Sequence, residues 1–544
     1  MREYLRTAVE AALRRLNITL ECPPAFEKPR LAGHGDLTTS VAMVLARTLR
    51  RKPRELAAQI IEALEIDRRL VSEVEVAGPG FINFTFTDLF FQEGLRDVVL
   101  KGDTYGRSSA GEGRHVQVEF VSANPTGPLT VGHGRGAVYG DTVARLLEWT
   151  GHRVEREYYF NDAGRQMRIL GDSVRLRYLE LLGEHADFPD DYYQGEYIRE
   201  IARHLLELHG DTLREEPATG RFKEQAVGEI FEDIKTTLKS LGIQFDSFYN
   251  EKSLYETGKI SKTIEDLRAR DLVYDRDGAL WFRASLLGNE KDKVIVKSTG
   301  EPTYRLPDIA YHREKFARGF ELMIDVFGAD HVATYPDVLA ALRALEYDAE
   351  KVRVLIHQFV TITQNGEVVK MSTRKANFIT LDELIEDVGG DVVRYFFLMR
   401  TASSHLNFDL DLARKQSDDN PVFYLKYAHA RIASILRYAL EEGRAREEGE
   451  ADLALLSAPA EVDLIKLLLE FPGTVESCST THEPHRLAEY LQGVAGVFHR
   501  FYHECRVVTD NPALTAARLT LCNAARIVLR NGLSILGVAA PDTM

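Results

Sequence analysis

The spacing of hydrophobic residues predicts a small α+β region at the start of the chain. In "LRTAVEAALRRLNI" (5–18) the leucines and the valine recur at helical spacing. In "VEVAGPGFINFTFT" a Gly-Pro-Gly turn precedes a strand in which Ile82, Phe84 and Phe86 share one face, while Phe81 and Asn83 lie on the other. The segment 101–114 is rich in glycine and serine and is typical of a linker. We therefore expect an α+β domain over residues 1–107.

From residue 115 the pattern becomes strand, turn and helix. "HVQVEFV" (115–121) alternates Val116 and Val118 with Gln117 and Glu119, which places the amide and the carboxylate on one face of a strand. A glycine-rich segment, a helical stripe and a second strand, "HRVEREYYF" (152–160), follow. This order is typical of a βαβ unit in a doubly wound sheet. Later strands are expected in "LMIDVFG" (322–328) and "VRVLIHQFVTI" (352–362).

The rest of the pattern is helical. Residues 168–265 are mostly helical and charged and are interpreted as an insertion, and helices are expected almost throughout from about 386 to the end. The fold class predicted is α/β. A Rossmann-type catalytic domain (115–385, insertion about 168–265) lies between the N-terminal α+β domain and an all-α helical bundle (386–544).

Composition narrows the class of protein. With 544 residues and a net charge of −15, the chain is not expected to coat nucleic acid indiscriminately, although a local basic surface is compatible with that charge. Arg47 to Arg54 form such a cluster, which is more simply a solvated helix end. No apolar run is long enough to span a bilayer, so we expect a cytoplasmic protein without a membrane partner. The four cysteines lack zinc-site spacing, and no structural metal is expected.

The segment "NPTGPLTVGHGRGAVYGD" (124–141) has three possible interpretations. Gly134, Gly136 and Gly140 form a weak variant of a dinucleotide-binding fingerprint. Alternatively, His133 at the start of a helix donates a hydrogen bond to a phosphate, while the glycines let a nucleotide lie against the backbone. The third interpretation is a surface loop with an incidental histidine.

A second motif favours the phosphate interpretation. "VVKMSTRKANF" (368–378) places Lys370, Arg374 and Lys375 in a short loop after a strand. Cations on such a loop suit a polyphosphate whose α-phosphorus is attacked, because negative charge builds up there in the transition state. A dinucleotide-dependent oxidoreductase explains neither this loop nor the C-terminal bundle.

These motifs resemble those of a known family. "TVGH" and "KMSTR" resemble the HIGH and KMSKS elements of class I aminoacyl-tRNA synthetases. "VEFVSANPTGPLTVGHGRG", "YYFNDAGRQ", "TYRLPDIAYH", "GADH" and "NPVFYLKYAHARI" are similar to bacterial arginyl-tRNA synthetases, and the resemblance covers essentially the whole chain. It implies ATP-dependent ligation of L-arginine to tRNA-Arg through arginyl-adenylate, with Mg²⁺ carried by ATP. It also implies an N-terminal domain that contacts the tRNA elbow and a C-terminal domain that reads the anticodon. We expect a monomer.

The resemblance assigns roles to particular residues. The catalytic group is expected to be His133, Lys370 and Thr130. The ATP site is expected to comprise Gly132, His133, Gly328, Asp330, Lys370, Met371 and Ser372. A guanidinium is planar, permanently charged and offers five donors, so its pocket should present carboxylate, amide and phenol oxygens. The residues matching that pocket are Glu119, Ser122, Asn124, Tyr304 and Asp308. Other substrate-side candidates are Asn161, Asp162 and Gln166, and Phe81 and Asn83 are expected to contact tRNA.

Two departures from the family pattern leave alternatives open. Thr130 replaces the first histidine of HIGH, and Thr373 replaces the second lysine of KMSKS. The hydroxyl of Thr130 still donates one hydrogen bond but carries no charge. A non-catalytic tRNA-binding paralogue is therefore one alternative. Another is a class I ligase that joins an amino acid to a small molecule, although such an enzyme would not need the two flanking domains.

Overall fold

The computed structural model describes residues 1–20, 22–29, 33–185, 187–369, 379–444 and 451–544. The N-terminal elements are α1 (Arg2–Arg15), β1 (Leu37–Thr39), α2 (Val41–Leu49), α3 (Pro53–Ala63), β2 (Val71–Ala77), β3 (Phe81–Phe86) and α4 (Asp88–Lys101). The strands form an antiparallel sheet in the order β1-β3-β2. The predicted inner face of β3 is confirmed, because Ile82, Phe84 and Phe86 are buried.

The central part of the chain contains most of the strands. In chain order its elements are β4 (His115–Glu119), α5 (Val131–Trp149), β5 (Arg153–Phe160), α6 (Gly164–Leu181), α7 (Glu196–His209), α8 (Lys223–Ser240), β6 (Ser247–Asn250), α9 (Lys252–Glu256), α10 (Lys259–Ala269), β7 (Val273–Arg276), β8 (Ala279–Phe282), β9 (Lys293–Val296), α11 (Arg305–Ala317), β10 (Leu322–Gly328), α12 (Tyr335–Ala344), β11 (Val352–His357), β12 (Val360–Gln364) and β13 (Glu367–Val368). Five of these strands form a parallel sheet in the order β11-β10-β4-β5-β6. This is the strand order of a doubly wound sheet, with its switch point between β4 and β10.

The C-terminal part is mainly helical. Its elements are α13 (Leu381–Val388), α14 (Gly390–Leu398), β14 (Leu406–Asp409), α15 (Leu410–Ala413), α16 (Pro421–Glu441), α17 (Pro459–Leu468), α18 (Phe471–Thr481), α19 (His485–Glu504) and α20 (Pro512–Leu536). Helix α20 starts where the Asn511 side chain accepts hydrogen bonds from two backbone N–H groups, and it ends at Gly537 with φ of +70°.

Several sequence predictions need correction. The region 168–265 is helical over α6 to α8 but also contributes β6, the edge strand of the parallel sheet. "VRVLIHQFVTI" is two strands, β11 and β12, and β14 interrupts the helices after residue 386. The antiparallel sheet β7-β8-β9 has no counterpart in the prediction. Of the strands that were not predicted, β6, β7, β8, β9 and β14 have four residues each, which give too little periodicity to predict a strand.

The segment predicted as a linker is fixed to the end of the chain. Helix α4 continues to Lys101, and the side-chain amide of Asn531 on α20 donates to the carbonyl oxygens of Gly102 (2.9 Å) and Tyr105 (3.0 Å). Asn531 is buried. The first residues of the connection between the N-terminal and central domains are therefore packed against α20.

A buried arginine joins the central domain to the last helix. The Arg394 guanidinium donates to the Asp141 carboxylate on α5 (2.7 Å), to the carbonyl of Leu241 after α8 (2.9 Å) and to the carbonyl of Leu536 at the end of α20 (2.8 Å). A Cβ at Gly537 would lie 2.3 Å from the guanidinium carbon. The carbonyl ends of two helices therefore meet at one guanidinium, which suits their negative dipole ends.

The glycines of the signature segment pack inside a helix. Gly134, Gly136 and Gly140 lie within α5, where a Cβ would lie 2.6 Å from Leu381, 2.8 Å from His357 and 2.3 Å from Phe120, respectively. These glycines are needed for the close approach of the neighbouring side chains.

Replacing Gly140 by alanine is expected to destabilise the protein by about 1–3 kcal/mol, because the new methyl group would overlap the buried Phe120 ring. Thermal unfolding measures the change. Gly228→Ala on α8 is the matched control, since a Cβ there meets nothing within 4 Å and alanine favours a helix by about 1 kcal/mol. If the two variants shift the unfolding temperature equally, the proposed overlap is wrong.

Candidate active site

The candidate site lies at the carboxyl edge of the parallel sheet. Strands β4 and β10 are neighbours, and the chain leaves them toward opposite faces, which is where doubly wound folds bind ligands. The polar ends of β4, β5, β6 and β10 converge there with the first turns of α5 and α11.

Thr130 and His133 form a reciprocal cap at the start of α5. The Thr130 hydroxyl accepts from the backbone N–H of His133 (3.4 Å), and the Thr130 N–H donates to His133 Nδ1 (3.2 Å). Burial lowers the pKa of the His133 imidazole, so the ring is neutral and carries its proton on Nε2. His133 therefore presents one N–H donor at the site, and Thr130 serves as an ordinary helix N-cap.

Gly132 is the second residue of α5 and leaves space in front of the helix. A Cβ there would contact only the Thr130 hydroxyl, at 3.6 Å. Unlike Gly134, it has no close neighbour among the described residues that excludes a side chain. The N-terminal N–H groups of α5 are thus accessible to an anion.

Lys370, Met371 and Ser372 lie outside the described residues. The described chain that follows pairs with the signature turn, because Leu381 N–H donates to the Leu129 carbonyl (2.8 Å) and Thr380 bridges Thr130. Thr380 and Leu381 therefore lie beside the turn that carries Thr130 and His133.

Four predicted site residues are connected by hydrogen bonds after β4 and β5. The hydroxyl of Ser122 donates to Glu119 Oε1 (2.9 Å) and accepts from the Tyr159 N–H (3.2 Å). Asn124 Oδ1 accepts from the Asn161 N–H (3.0 Å). The structure thus brings together the first part of the predicted arginine pocket.

Gln166 and Asp162 lie next to this group in the chain that follows β5. The Asn124 amide donates to Gln166 Oε1 at 3.0 Å, and Gln166 is exposed. Asp162 Oδ1 is buried and has no hydrogen-bond partner among the described residues. A buried acceptor without a donor is costly, so this oxygen suits a ligand N–H or O–H group.

Asp308 is a carboxylate without a donor. It lies in the first turn of α11, is partly exposed and accepts no side-chain hydrogen bond from the described residues. Burial raises its pKa to about 7, the His312 imidazole acts in the opposite direction, and the carboxylates of Glu119, Glu251 and Asp325 add to the rise. A cation placed among these carboxylates would relieve their repulsion.

Glu251 is a site residue that sequence reasoning missed. It follows β6, is 8% exposed, and accepts from the hydroxyls of Tyr159 (2.8 Å) and Tyr255 (3.3 Å). Burial raises its pKa, and these hydroxyl bonds oppose the rise. The signal that could have found it is its place at the carboxyl end of β6, a strand that the pattern did not predict.

Tyr304 is not packed into this pocket. It precedes α11, one turn before Asp308, and is 75% exposed with no side-chain hydrogen bond to a described residue. The structure therefore places the predicted phenol one turn before Asp308, in solvent.

Gly328 and Asp330 are at the end of β10, as predicted. The exposed Asp330 carboxylate is close enough to raise the pKa of His133 slightly against the effect of burial. Gly328 pairs with His357 at the end of β11. His357 is a second residue that the sequence analysis missed; burial lowers its pKa to about 4, and its Nδ1 is buried without a partner among the described residues.

Phe81 and Asn83 lie on β3, in the N-terminal domain. Phe81 is partly exposed, whereas Asn83 is 4% exposed and donates to Glu75 on the paired strand at 3.3 Å. The structure therefore gives the aromatic ring an accessible surface and encloses the amide.

Within the described residues no group of three or more His, Cys, Asp or Glu side chains could hold a metal ion. In the same part of the chain, no helix combines the length and the apolar composition that crossing a bilayer requires.

Family models match three successive parts of the chain. They describe the arginyl tRNA synthetase N-terminal domain (residues 3–86), the catalytic domain of class I tRNA synthetases (R) (residues 95–391) and the DALR anticodon binding domain (residues 425–544). Fold and site together thus define a class I aminoacyl-tRNA synthetase.

Similar proteins identify the family within that class. The arginine–tRNA ligase of Desulfotalea psychrophila is 54% identical over 95% of this chain and 94% of its own length, and that of Chlorobium phaeobacteroides is 51% identical over the whole of both chains. The solved structure of Thermus thermophilus arginyl-tRNA synthetase shares the fold, with a TM-score of 0.78 at 24% identity over the whole of both chains. The chain belongs to the arginyl-tRNA synthetase family.

Proposed function

We propose that this protein ligates L-arginine to tRNA-Arg in two ATP-dependent steps. A carboxylate oxygen of arginine bonds to the α-phosphorus of ATP, the bond from that phosphorus to the bridging oxygen breaks, and pyrophosphate leaves. A ribose hydroxyl of the terminal adenosine of the tRNA then attacks the carbonyl carbon of arginyl-adenylate, losing its proton, and AMP leaves. Neither step needs a protein nucleophile.

The observation that carries this proposal is the buried acidic pocket around Asp308. Its carboxylate has no donor among the described residues, and Glu251 presents a second carboxylate held by two tyrosine hydroxyls. A guanidinium offers a fixed fork of donors to both. Lysine would leave part of this acceptor set unpaired, so the pocket is expected to discriminate against it.

The other groups suit the nucleotide and the backbone of the amino acid. The His133 N–H and the N-terminus of α5 would bind the phosphates, Gly328 and Asp330 the ribose side, and Asn124 with Ser122 the arginine end near the reacting carboxylate. Lys370, Met371 and Ser372 would stabilise the transition-state charge. Mg²⁺ would arrive with ATP as part of the substrate.

The flanking domains would bind the tRNA. Phe81 suits stacking on an exposed base of the elbow, and the C-terminal helices match an anticodon-binding model. We propose that the enzyme acts as a monomer in the cytoplasm.

ATP–pyrophosphate exchange tests the function. Exchange should require arginine and a tRNA-Arg transcript and should fail with lysine. Exchange with arginine but no transfer to tRNA would support the small-molecule ligase. If arginine supports no exchange either with or without tRNA-Arg, although the tRNA binds, the non-catalytic paralogue is correct.

Arginine binding is expected to weaken at acidic pH. A carboxyl whose pKa is raised to about 7 is largely protonated at pH 6, and only its ionised form pairs with a guanidinium. The dissociation constant should therefore rise about tenfold from pH 8 to pH 6. Isothermal titration with arginine alone measures it, and a constant affinity over this range would show that Asp308 does not titrate at the site.

A further inference from the structure

Helix α11 presents four titratable side chains to the base of the pocket. Tyr311, His312 and Lys315 follow Asp308 by three, four and seven residues, so all four lie on one side of the helix. Tyr311, His312 and Lys315 are buried. This face packs on the parallel sheet, where Lys315 and His312 both contact Asp325 on β10.

His312 lies between two acceptors. Its Nδ1 is 2.8 Å from the backbone carbonyl oxygen of Asp308, and its Nε2 is 2.8 Å from Asp325 Oδ2. A neutral imidazole has one N–H and could satisfy only one of them. The two distances fit an imidazolium, which has one N–H for each acceptor.

Lys315 is committed to other carboxylates. Its ammonium donates to Glu119 Oε2 (2.6 Å) and to Asp325 Oδ1 (2.6 Å) and is fully buried. Because this charge is shared between Glu119 and Asp325, it does not pair with Asp308. His312, one helical turn from Asp308, remains as the cation that acts on it.

The groups that face Asp308 from the neighbouring elements are mostly acidic. They are the carboxylates of Glu119 on β4, Glu251 after β6 and Asp325 on β10, and the phenol of Tyr159 on β5. Burial raises the pKa of the Tyr159 phenol well above its usual value, so it stays neutral. The three carboxylates therefore disfavour ionisation of Asp308.

From this geometry we infer that His312 is a positioning residue of the arginine site. It supplies the positive charge that favours the ionised form of Asp308, it orients the helical turn that carries that carboxylate, and it thereby sets the acid limit of arginine binding. This inference rests on the proposed function, because it assumes that Asp308 pairs with the guanidinium.

Two substitutions test the inference, and each keeps a different one of the two hydrogen bonds of His312. His312→Gln keeps an amide that can donate toward Asp325, and His312→Asn keeps one that can donate toward the Asp308 carbonyl; neither has a charge. Both are titrated with L-arginine from about pH 5.5 to 8.5, after thermal unfolding shows a cooperative transition. The second variant keeps the test decisive if one of them fails to fold.

We expect the acid limb of arginine binding to move up by about one pH unit in both variants. At pH 7 the dissociation constant should rise about fivefold, whereas at pH 8.5 it should stay within about twofold of wild type. If the dissociation constant for arginine rises by the same factor at every pH, His312 has a merely structural role and the inference is overturned. An unmoved acid limb would also overturn it.

A further variant separates this result from failure of the proposed function. Asp308→Asn removes the titrating carboxyl, so its weak residual binding should have no acid limb. If Asp308→Asn instead binds arginine like wild type, the pocket assignment fails and the His312 inference fails with it. If Asp308→Asn loses binding but the His312 variants keep the wild-type pH profile, the inference alone fails.

Discussion

Replacing Asp308 by asparagine is expected to raise the KM for arginine by about two to three orders of magnitude, because removing one partner of an enclosed charge pair costs about 2–5 kcal/mol. Asparagine keeps the shape of the side chain but loses the charge that meets the guanidinium. The affinity for tRNA should remain within about twofold of wild type, since Asp308 lies on α11, away from the two flanking domains. Steady-state aminoacylation and tRNA binding measure the two quantities.

Glu314→Gln is the matched control for that variant. Glu314 lies on the same helix and pairs with Lys259 on α10 at 2.7 Å, with both side chains partly exposed. Neither residue belongs to the candidate site, so arginine KM should be almost unchanged. An Asp308→Asn enzyme with wild-type arginine affinity would refute the pocket assignment.

His133→Asn is expected to slow adenylate formation by about 10²–10³-fold, because it removes a preorganised donor to the phosphate that gains charge in the transition state. Asparagine still offers an oxygen to the Thr130 N–H, so the start of α5 should be retained. Single-turnover formation of arginyl-adenylate in the presence of tRNA gives the rate, and arginine affinity should change much less.

Thr130 variants separate capping from catalysis. Thr130→Ser keeps the N-cap hydroxyl and should leave the rate nearly unchanged, whereas Thr130→Ala should lose about 1 kcal/mol of stability. If His133→Asn retains the wild-type rate of adenylate formation, the histidine has no role in phosphate stabilisation.

The sequence predicted those parts of the fold in which apolar and polar residues alternate with a clear period. The alternation in "HVQVEFV" correctly placed Gln117 and Glu119 on one face of β4, and both are buried at the base of the site. The prediction that His133 lies at the start of a helix was also correct. These features depend on local spacing, which the sequence contains directly.

The features that the sequence did not predict depend on contacts between distant segments of the chain. Glu251 was missed because β6 has only four residues and becomes a strand only by pairing with β5. His312 on α11 contacts Asp325 on β10, and no local pattern predicts such a pair. The packing role of Gly140 depends in the same way on Phe120 lying against it.

Thr130 shows how a departure from a family motif can be read in two ways. By sequence it is the loss of an imidazole and the best support for a non-catalytic paralogue. In the structure its hydroxyl forms half of the cap whose other half is His133. This geometry removes the main physical reason for regarding the substitution as a defect.

The contacts of Arg394 limit how this chain can be divided. Its guanidinium takes two acceptors from α5, one from the end of α8 and one from the last turn of α20. A catalytic half made without the final residues would therefore expose a charged group that is otherwise 1% accessible. The C-terminal bundle is consequently not an interchangeable module: a chimera that imports the bundle of another synthetase must also supply a carbonyl at position 536 and a glycine at position 537.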